Sequence, residues 1–449
     1  MSALATSVPT VAERLGAALH AARPTSTGRI SAVVGLVVDV VGVDAAVGDL
    51  LLLATTTGLD GVPAEVVGVD RGRVRCMPLG PVAGLRAGDR VVGSGDGLRV
   101  RVGSDLLGRV LDGLGVPMDG GQPLRGVRTS VEGVPPNALA RQRVEAPLTL
   151  GVRALDTLVP AGRGQRFGIF AGSGVGKSSL LSMIARGTSA SVSVLALVGE
   201  RGREVREFLE NDLGEVGLAR SVVVVATSDA PPVVRLRAAF VATRIAEWFR
   251  DQGQDVLLMM DSLTRVAMAQ REIGLSGGEP PATRGYPPST FALLPRLLER
   301  AGPGEHGTIT GIYTVLVDGD DHNEPIADAA RSILDGHVTL DRRLATSGHF
   351  PSIDVLESVS RVVGFVTTPE QRRQANLLRR VLAAHRDTKD LIEVGAYVAG
   401  SNPDVDAAVA LWPAITAFLR QPVDEIVDAR AAWEQLAALT GALVQVGAR

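Results

Sequence analysis

The chain predicts an α/β protein: a core with a mostly parallel sheet, preceded by a small β-barrel and followed by a helical domain. Three observations carry this expectation. Residues 26–97 consist of short valine-rich runs broken by glycine, the pattern of a small barrel of antiparallel strands. Residues 98–367 alternate apolar runs with helical stretches, which indicates a parallel sheet covered by helices on both faces. Residues 368–449 read as helical, with Pro403 and Pro422 marking breaks.

Ahead of the barrel, Thr10 and Glu13 have the spacing of a capping box, and Val11, Leu15, Ala18, Leu19 and Ala22 recur at helical spacing. Residues 1–25 therefore predict a short amphipathic helix whose narrow, alanine-rich stripe suits docking to a partner better than deep burial. Runs such as Val33–Val38 and Ala64–Val69 supply barrel strands. In the core, Gln165–Phe170, Val192–Val198, Val222–Ala226, Val256–Met260 and Ile309–Val317 read as strands, and Ser178–Arg186 as a helix. Thr368-Pro369-Glu370 then opens an arginine-rich helix, with cap and first-turn proline in preferred positions.

Composition narrows the function. At 449 residues the chain is long enough for about three domains. A hydrophobic share of 45% and a net charge of −3 describe a globular protein without the basic balance of a nucleic-acid binder. A single cysteine, Cys76, leaves no intramolecular disulfide and no multi-cysteine zinc site. No apolar run approaches the roughly 18 residues of a membrane span and no signal-peptide pattern is present, so the expected location is cytoplasmic.

Of the 46 basic residues only Lys177 and Lys389 are lysine. Lys177 sits in Ala171-Gly172-Ser173-Gly174-Val175-Gly176-Lys177-Ser178, between a predicted strand and a predicted helix. That is the arrangement of a phosphate-binding loop: backbone N–H groups cradle phosphate oxygens, lysine reaches the β/γ-phosphates and the following hydroxyl ligates Mg²⁺. A compact ammonium fits inside such a loop where a planar guanidinium does not. Ala171 replaces the usual first glycine, while Gly172, Gly174 and Gly176 keep the loop's backbone freedom. Residues Gly172–Ser179 are the candidate nucleotide site.

Hydrolysis also needs a carboxylate on the magnesium side and a group that positions water. Asp261 follows the apolar run Val256–Met260, the place of an acid that holds Mg²⁺ with Ser178. Glu200 follows Val194–Val198 and begins Glu200-Arg201-Gly202-Arg203-Glu204; acids at the C-terminal edge of such a sheet are where catalytic groups gather. Spacing alone leaves open a solvated charge ladder there. The acidic run Asp318–Glu324 is no calcium loop, because the twelfth position from Asp318 is Ala329.

Several segments together resemble the export ATPases of type III secretion: Gly199–Val205, Asp261–Arg265, the stretch from Ala269 to Gly302, Tyr313–Asp321 and Ile333–His337. The likeness runs from about Gly28 to the C-terminus. It implies a P-loop NTPase core of the RecA/F1-like kind, ATP and Mg²⁺ as substrate and cofactor, and Glu200, beside Arg201, as the base that orients the attacking water. It makes Arg361, in Glu357-Ser358-Val359-Ser360-Arg361, an arginine finger reaching the neighbouring subunit's γ-phosphate, and hence implies a homohexamer. Phe350 takes the place of an aromatic against the adenine, and Tyr397 would close the pocket from the other side. The same resemblance implies a stator-like regulator at the N-terminal helix, a coiled-coil stalk facing the loop 276–288 in the pore, an export gate and substrate–chaperone complexes, and a peripheral place at the membrane. Flagellar export is the favoured reading and injectisome secretion the alternative.

A hexameric nucleic-acid motor and a rotary synthase catalytic subunit are the competing classes. No Phe, Trp or Tyr precedes Phe167, so the barrel lacks stacking platforms for single strands. Residues 1–97 hold 8 Arg against 9 Asp plus Glu, a net −1, and offer a phosphate backbone no basic groove. The Ala269–Gly302 stretch and the presence of both Glu200 and Arg361 in one chain oppose a synthase subunit.

Overall fold

The computed structural model describes residues 25–54, 61–317 and 324–447. The expected N-terminal helix and most of the acidic run from Asp318 lie outside these. The described residues form two units, one ending at Leu98 and the other starting at Arg99.

In the first unit six strands, Thr27–Val34, Val37–Val41, Asp49–Leu53, Val62–Asp70, Arg73–Pro78 and Arg90–Gly97, close into a barrel. Alternation turns Val38 and Val40, Leu51 and Leu53, Ala64 and Val66, and Val74 and Cys76 inward, where all are essentially buried. The core is aliphatic apart from one thiol. Cys76 is part of that packing: its thiol donates to the carbonyl of Val38 at 3.4 Å, and burial, helped by Asp39, pushes its pKa up to about 12. A thiol so held is unreactive.

The second unit is built on one sheet. Across it the strands run Ile353–Ser360, Gly336–Leu340, Arg166–Ala171, Thr308–Leu316, Asp255–Asp261, Val192–Val198, Ser221–Ala226 and Val110–Asp112. All neighbours are parallel except the Ile353–Ser360 edge, which pairs antiparallel with Gly336–Leu340. Val192–Val198 and Ser221–Ala226 are buried at every position, as strands covered on both faces must be. Helices such as Lys177–Gly187, Pro232–Asp251 and Leu263–Gly277 provide that cover.

C-terminal to the sheet, the helices Pro369–Glu393, Pro403–Leu419 and Ala429–Gly447 complete the unit. The first opens with a full capping box, in which Thr368 and Gln371 satisfy each other's backbone N–H groups. Pro403 occupies the first turn of the second helix, capped by Asn402. Arg153 ties this domain to the core: its guanidinium donates to the carbonyls of Phe418 and Arg420 at 3.1 Å and pairs with Glu425 at 2.8 Å. Among the described residues no helix is long and apolar enough to cross a membrane.

Candidate active site

The strand Arg166–Ala171 ends in the glycine loop, and the helix Lys177–Gly187 leaves it. Gly176 begins that helix at φ +89 with no side-chain cap, so the first-turn N–H groups remain available to an anionic group, which the helix dipole also favours. A Cβ on Gly176 would be strained at that φ and would meet the Phe350 ring at 3.3 Å. The structure thus sets Phe350, 42% exposed, directly against the loop.

A second segment grips the loop from outside. Arg342 donates to the carbonyl of Ser173 at 3.1 Å, and the Ser352 hydroxyl donates to the carbonyl of Val175. Asp341 caps the short helix that carries Arg342, its carboxylate accepting from the N–H of Leu344 at 2.8 Å. The residue types between Leu340 and Ser352 offered no sign of this role, which depends on the pairing of Gly336–Leu340 with the loop strand.

Parallel register brings the acids to the same edge. The Thr308–Leu316 strand separates the loop strand from the Asp255–Asp261 strand, so at the usual spacing the flanking strands stand roughly 10 Å apart. Lys177 spans that gap on its flexible stem, with Nζ paired to Asp261 Oδ1 and 3.6 Å from Glu200 Oε1. Thr314, on the intervening strand, donates its hydroxyl to the same Asp261 oxygen at 2.7 Å. Asp261 is opposite Leu197 in the ladder, which puts Glu200 just beyond the end of the next strand. Ser178, on the first turn of the helix, is exposed.

Glu200 lies in a charged but partly dry corner. Burial pushes its carboxyl up to about 6; the nearby Asp261 charge adds to this, and Lys177 opposes it. A hydrogen bond that the protonated Glu200 carboxyl donates to Glu204 also favours that form, and accepting it holds Glu204 below its usual range. Arg265 Nε lies 3.5 Å from Glu200 Oε1. That approach needs Gly199, at φ +73, since a Cβ there would stand 2.5 Å from Arg265 Cδ. Arg201 is turned outward, three-quarters exposed, and pairs with Glu204 at 2.9 Å.

Arg361 stands elsewhere. The N–H of Arg361 donates to the carbonyl of Asp335 at 3.0 Å, and the N–H of Asp335 donates to the carbonyl of Arg166 at 2.9 Å. Arg361 is therefore level with the start of the loop strand. At about 3.3 Å per residue, Ala171 lies roughly 17 Å further along, with the loop beyond it. Tyr397 donates its hydroxyl to the carbonyl of Asn402 and to Asp406, both at 3.1 Å, inside the helical domain.

A glycine loop at the C-terminal end of a parallel strand, its lysine bridging to acids at the ends of two further strands, defines a P-loop nucleoside-triphosphatase core. Residues 30–95, 151–360 and 367–438 match, respectively, the ATP synthase alpha/beta family, beta-barrel domain; the ATP synthase alpha/beta family, nucleotide-binding domain; and the T3SS EscN ATPase C-terminal domain. The flagellum-specific ATP synthase of Bacillus subtilis is 51% identical over 417 residues, covering 92% of this chain and 95% of that protein. The type 3 secretion system ATPase of Xanthomonas euvesicatoria is 50% identical, with 89% and 90% covered. The structure of the assembled ATPase EscN from enteropathogenic E. coli superposes with a TM-score of 0.88 at 44% identity, covering 92% of this chain and all of that one. The chain belongs to this family of ATP-hydrolysing enzymes, the flagellum-specific ATP synthases and type 3 secretion ATPases.

Proposed function

We propose that this chain hydrolyses ATP to energise type III protein export in flagellar assembly, working as a homohexamer whose sites lie between subunits. The observation that carries the reading is the separation of Lys177, Asp261 and Glu200 at one sheet end from Arg361 at the level of the other. An arginine side chain cannot cross that interval to its own loop. Its guanidinium, exposed and donating to the carbonyl of Arg331 at 3.4 Å, would serve a neighbour's.

In this reading the N–H groups from Gly172 to Ser179 hold the phosphates and Lys177 exchanges Asp261 for the β/γ-phosphate oxygens. The Ser178 hydroxyl and Asp261 carboxylate are hard oxygen donors that fit Mg²⁺. When bound, the ion supplies charge neutralisation on the phosphates. Glu200, ionised above about pH 6, accepts a hydrogen bond from the attacking water and so aims it. Arg361 of the next subunit stabilises the charge that develops as the bond to the leaving phosphate breaks. Phe350 supplies a ring face to the base; Arg201 and Tyr397 belong to the wider pocket.

The EscN ATPase has been solved in complex with its central stalk EscO, a match at a TM-score of 0.86. That supports a stalk partner here, and the exposed Pro280–Arg284 segment is the surface assigned to the pore. Residues 1–25 would bind a regulator, with the export gate and substrate–chaperone complexes as further partners at the cytoplasmic face of the membrane. The Xanthomonas relative favours injectisome secretion as the second reading. Loss of filaments and motility on deleting the gene supports flagellar export; intact filaments refute it.

The trans site is tested by mixing two inactive variants. An Arg361→Ala subunit retains Lys177 and Glu200, and a neighbouring Glu200→Gln subunit retains Arg361. Random co-assembly in equal amounts makes about a quarter of the interfaces whole, and hydrolysis should return. Demonstrably mixed hexamers without activity would overturn the assignment.

A further inference from the structure

We infer that Gln165 is a positioning residue for the trans arginine, holding the Arg361 loop to the strand that carries the subunit's own phosphate loop; this rests on the trans reading of Arg361. Gln165 immediately precedes the strand Arg166–Ala171 and is fully buried. Its carboxamide is engaged by two segments distant in sequence and by the turn just before it. One Nε2 hydrogen goes to the carbonyl of Asp335 at 2.9 Å, the other to the Ser360 hydroxyl at 3.2 Å, and Oε1 accepts from the N–H of Gly162 at 2.9 Å.

Both acceptors belong to Arg361's support. The Asp335 carbonyl that takes the Gln165 proton also takes the Arg361 N–H at 3.0 Å. Ser360 is the residue before Arg361, and its hydroxyl donates onward to the carbonyl of Pro160 at 2.8 Å. The space is shaped for the amide: a Cβ on Gly336, opposite Ser360 in the ladder, would stand 3.2 Å from Gln165 Nε2. Asp335 is fixed from its other side by Arg166, which donates to its carboxylate through Nε at 2.9 Å and Nη2 at 3.1 Å.

A buried primary amide with both hydrogens and its oxygen engaged has one low-energy orientation, because any rotation strands a donor away from water. It therefore fixes the backbone at Asp335 and Ser360, and with it the origin of the Arg361 side chain. Misplacement by about 1 Å costs on the order of 10²-fold in rate where geometry is decisive. Gln165 lies before the start of the strand, at the opposite end from the phosphate loop. Its loss should be felt only at the neighbour's site.

The complementation test reads that difference. Gln165→Leu hexamers should lose about 10²-fold in kcat while the affinity for a fluorescent ATP analogue stays within about threefold. Mixed with Glu200→Gln subunits, Gln165→Leu subunits should recover hydrolysis, since each retains what the other lacks; mixed with Arg361→Ala subunits they should not. Ser360→Ala, which removes one of the three contacts, should behave alike with a smaller loss. Recovery with Arg361→Ala, or nucleotide affinity falling in step with kcat in both variants, would overturn the inference and leave the trans finger standing. Failure of the Arg361→Ala and Glu200→Gln mixture itself would remove the trans reading and this inference with it.

Discussion

At its C-terminal end the strand Arg166–Ala171 enters a loop whose parts are consecutive, Gly172 to Ser179; just before its start, Gln165 binds Ser360, 195 residues away, and through it supports Arg361. The first end works through backbone N–H groups and one lysine, all delivered by a single strand–loop–helix turn. The second works through side chains from three separate segments, and in the proposed trans site what it holds serves another subunit. The same strand thus joins a site that is local in sequence to one that is local only in space. Damage to the phosphate loop itself should cost binding and rate together, whereas damage at the finger end should cost rate alone.

The largest effect should come from Lys177→Ala. It removes the phosphate contact and leaves Asp261 and Glu200 facing each other without their shared countercharge, so nucleotide binding by calorimetry and hydrolysis should both vanish. Glu200→Gln should keep the binding and lose turnover. Equal affinity in Lys177→Ala and the parent would break the comparison at its first end.

Arg361→Ala should lower kcat by about 10³ to 10⁵-fold, or roughly 4 to 7 kcal/mol of transition-state stabilisation, with nucleotide affinity nearly unchanged. An equal fall in affinity and rate would mean that the two ends are not separable.

The pH dependence sharpens the loop end. The folded-state pKa of Glu200 is raised to about 6, so kcat should fall with acid through that value, by up to tenfold per pH unit, as the water-orienting carboxylate protonates. Stability moves the other way: the carboxyl binds its proton more tightly in the folded chain, so its contribution is lost as pH rises from the unfolded value through about 6. Glu200→Gln should accordingly melt higher than the parent at pH 8 and nearly alike at pH 4.5. A parent rate flat between pH 5 and 8 would contradict the assignment.

The smallest effect should be at Phe350. Phe350→Ala removes a ring face worth about 0.5–1.5 kcal/mol, so nucleotide affinity should weaken by roughly 2- to 12-fold with kcat little altered. Unchanged affinity would leave the ring a packing group on Gly176.

Much of this was legible in order along the chain. Valine runs broken by glycine marked the barrel, buried runs marked the parallel strands, and the loop motif located Lys177, because each is a short-range pattern whose physics is local. The edge strand Ile353–Ser360 was not, since its alternation breaks at Leu356-Glu357, its pairing shifts register, and it meets its neighbour only once the sheet exists. Thr314, Arg342 and Ser352 escaped for the same reason: nothing in their own neighbourhoods announces a bond to Asp261, Ser173 or Val175. Gln165 was readable only as the start of a strand, and nothing beside Tyr397 announces its bonds to Asn402 and Asp406.

By itself, then, the sequence determined which elements form and where a phosphate can be bound, because hydrophobic period and a glycine loop act over a few residues. The tertiary structure alone decided which acid faces Lys177, which carbonyl carries Arg361 and which end of the sheet that arginine occupies. Those outcomes rest on strand order and register, which arise when segments far apart in the chain compete to bury the same surface.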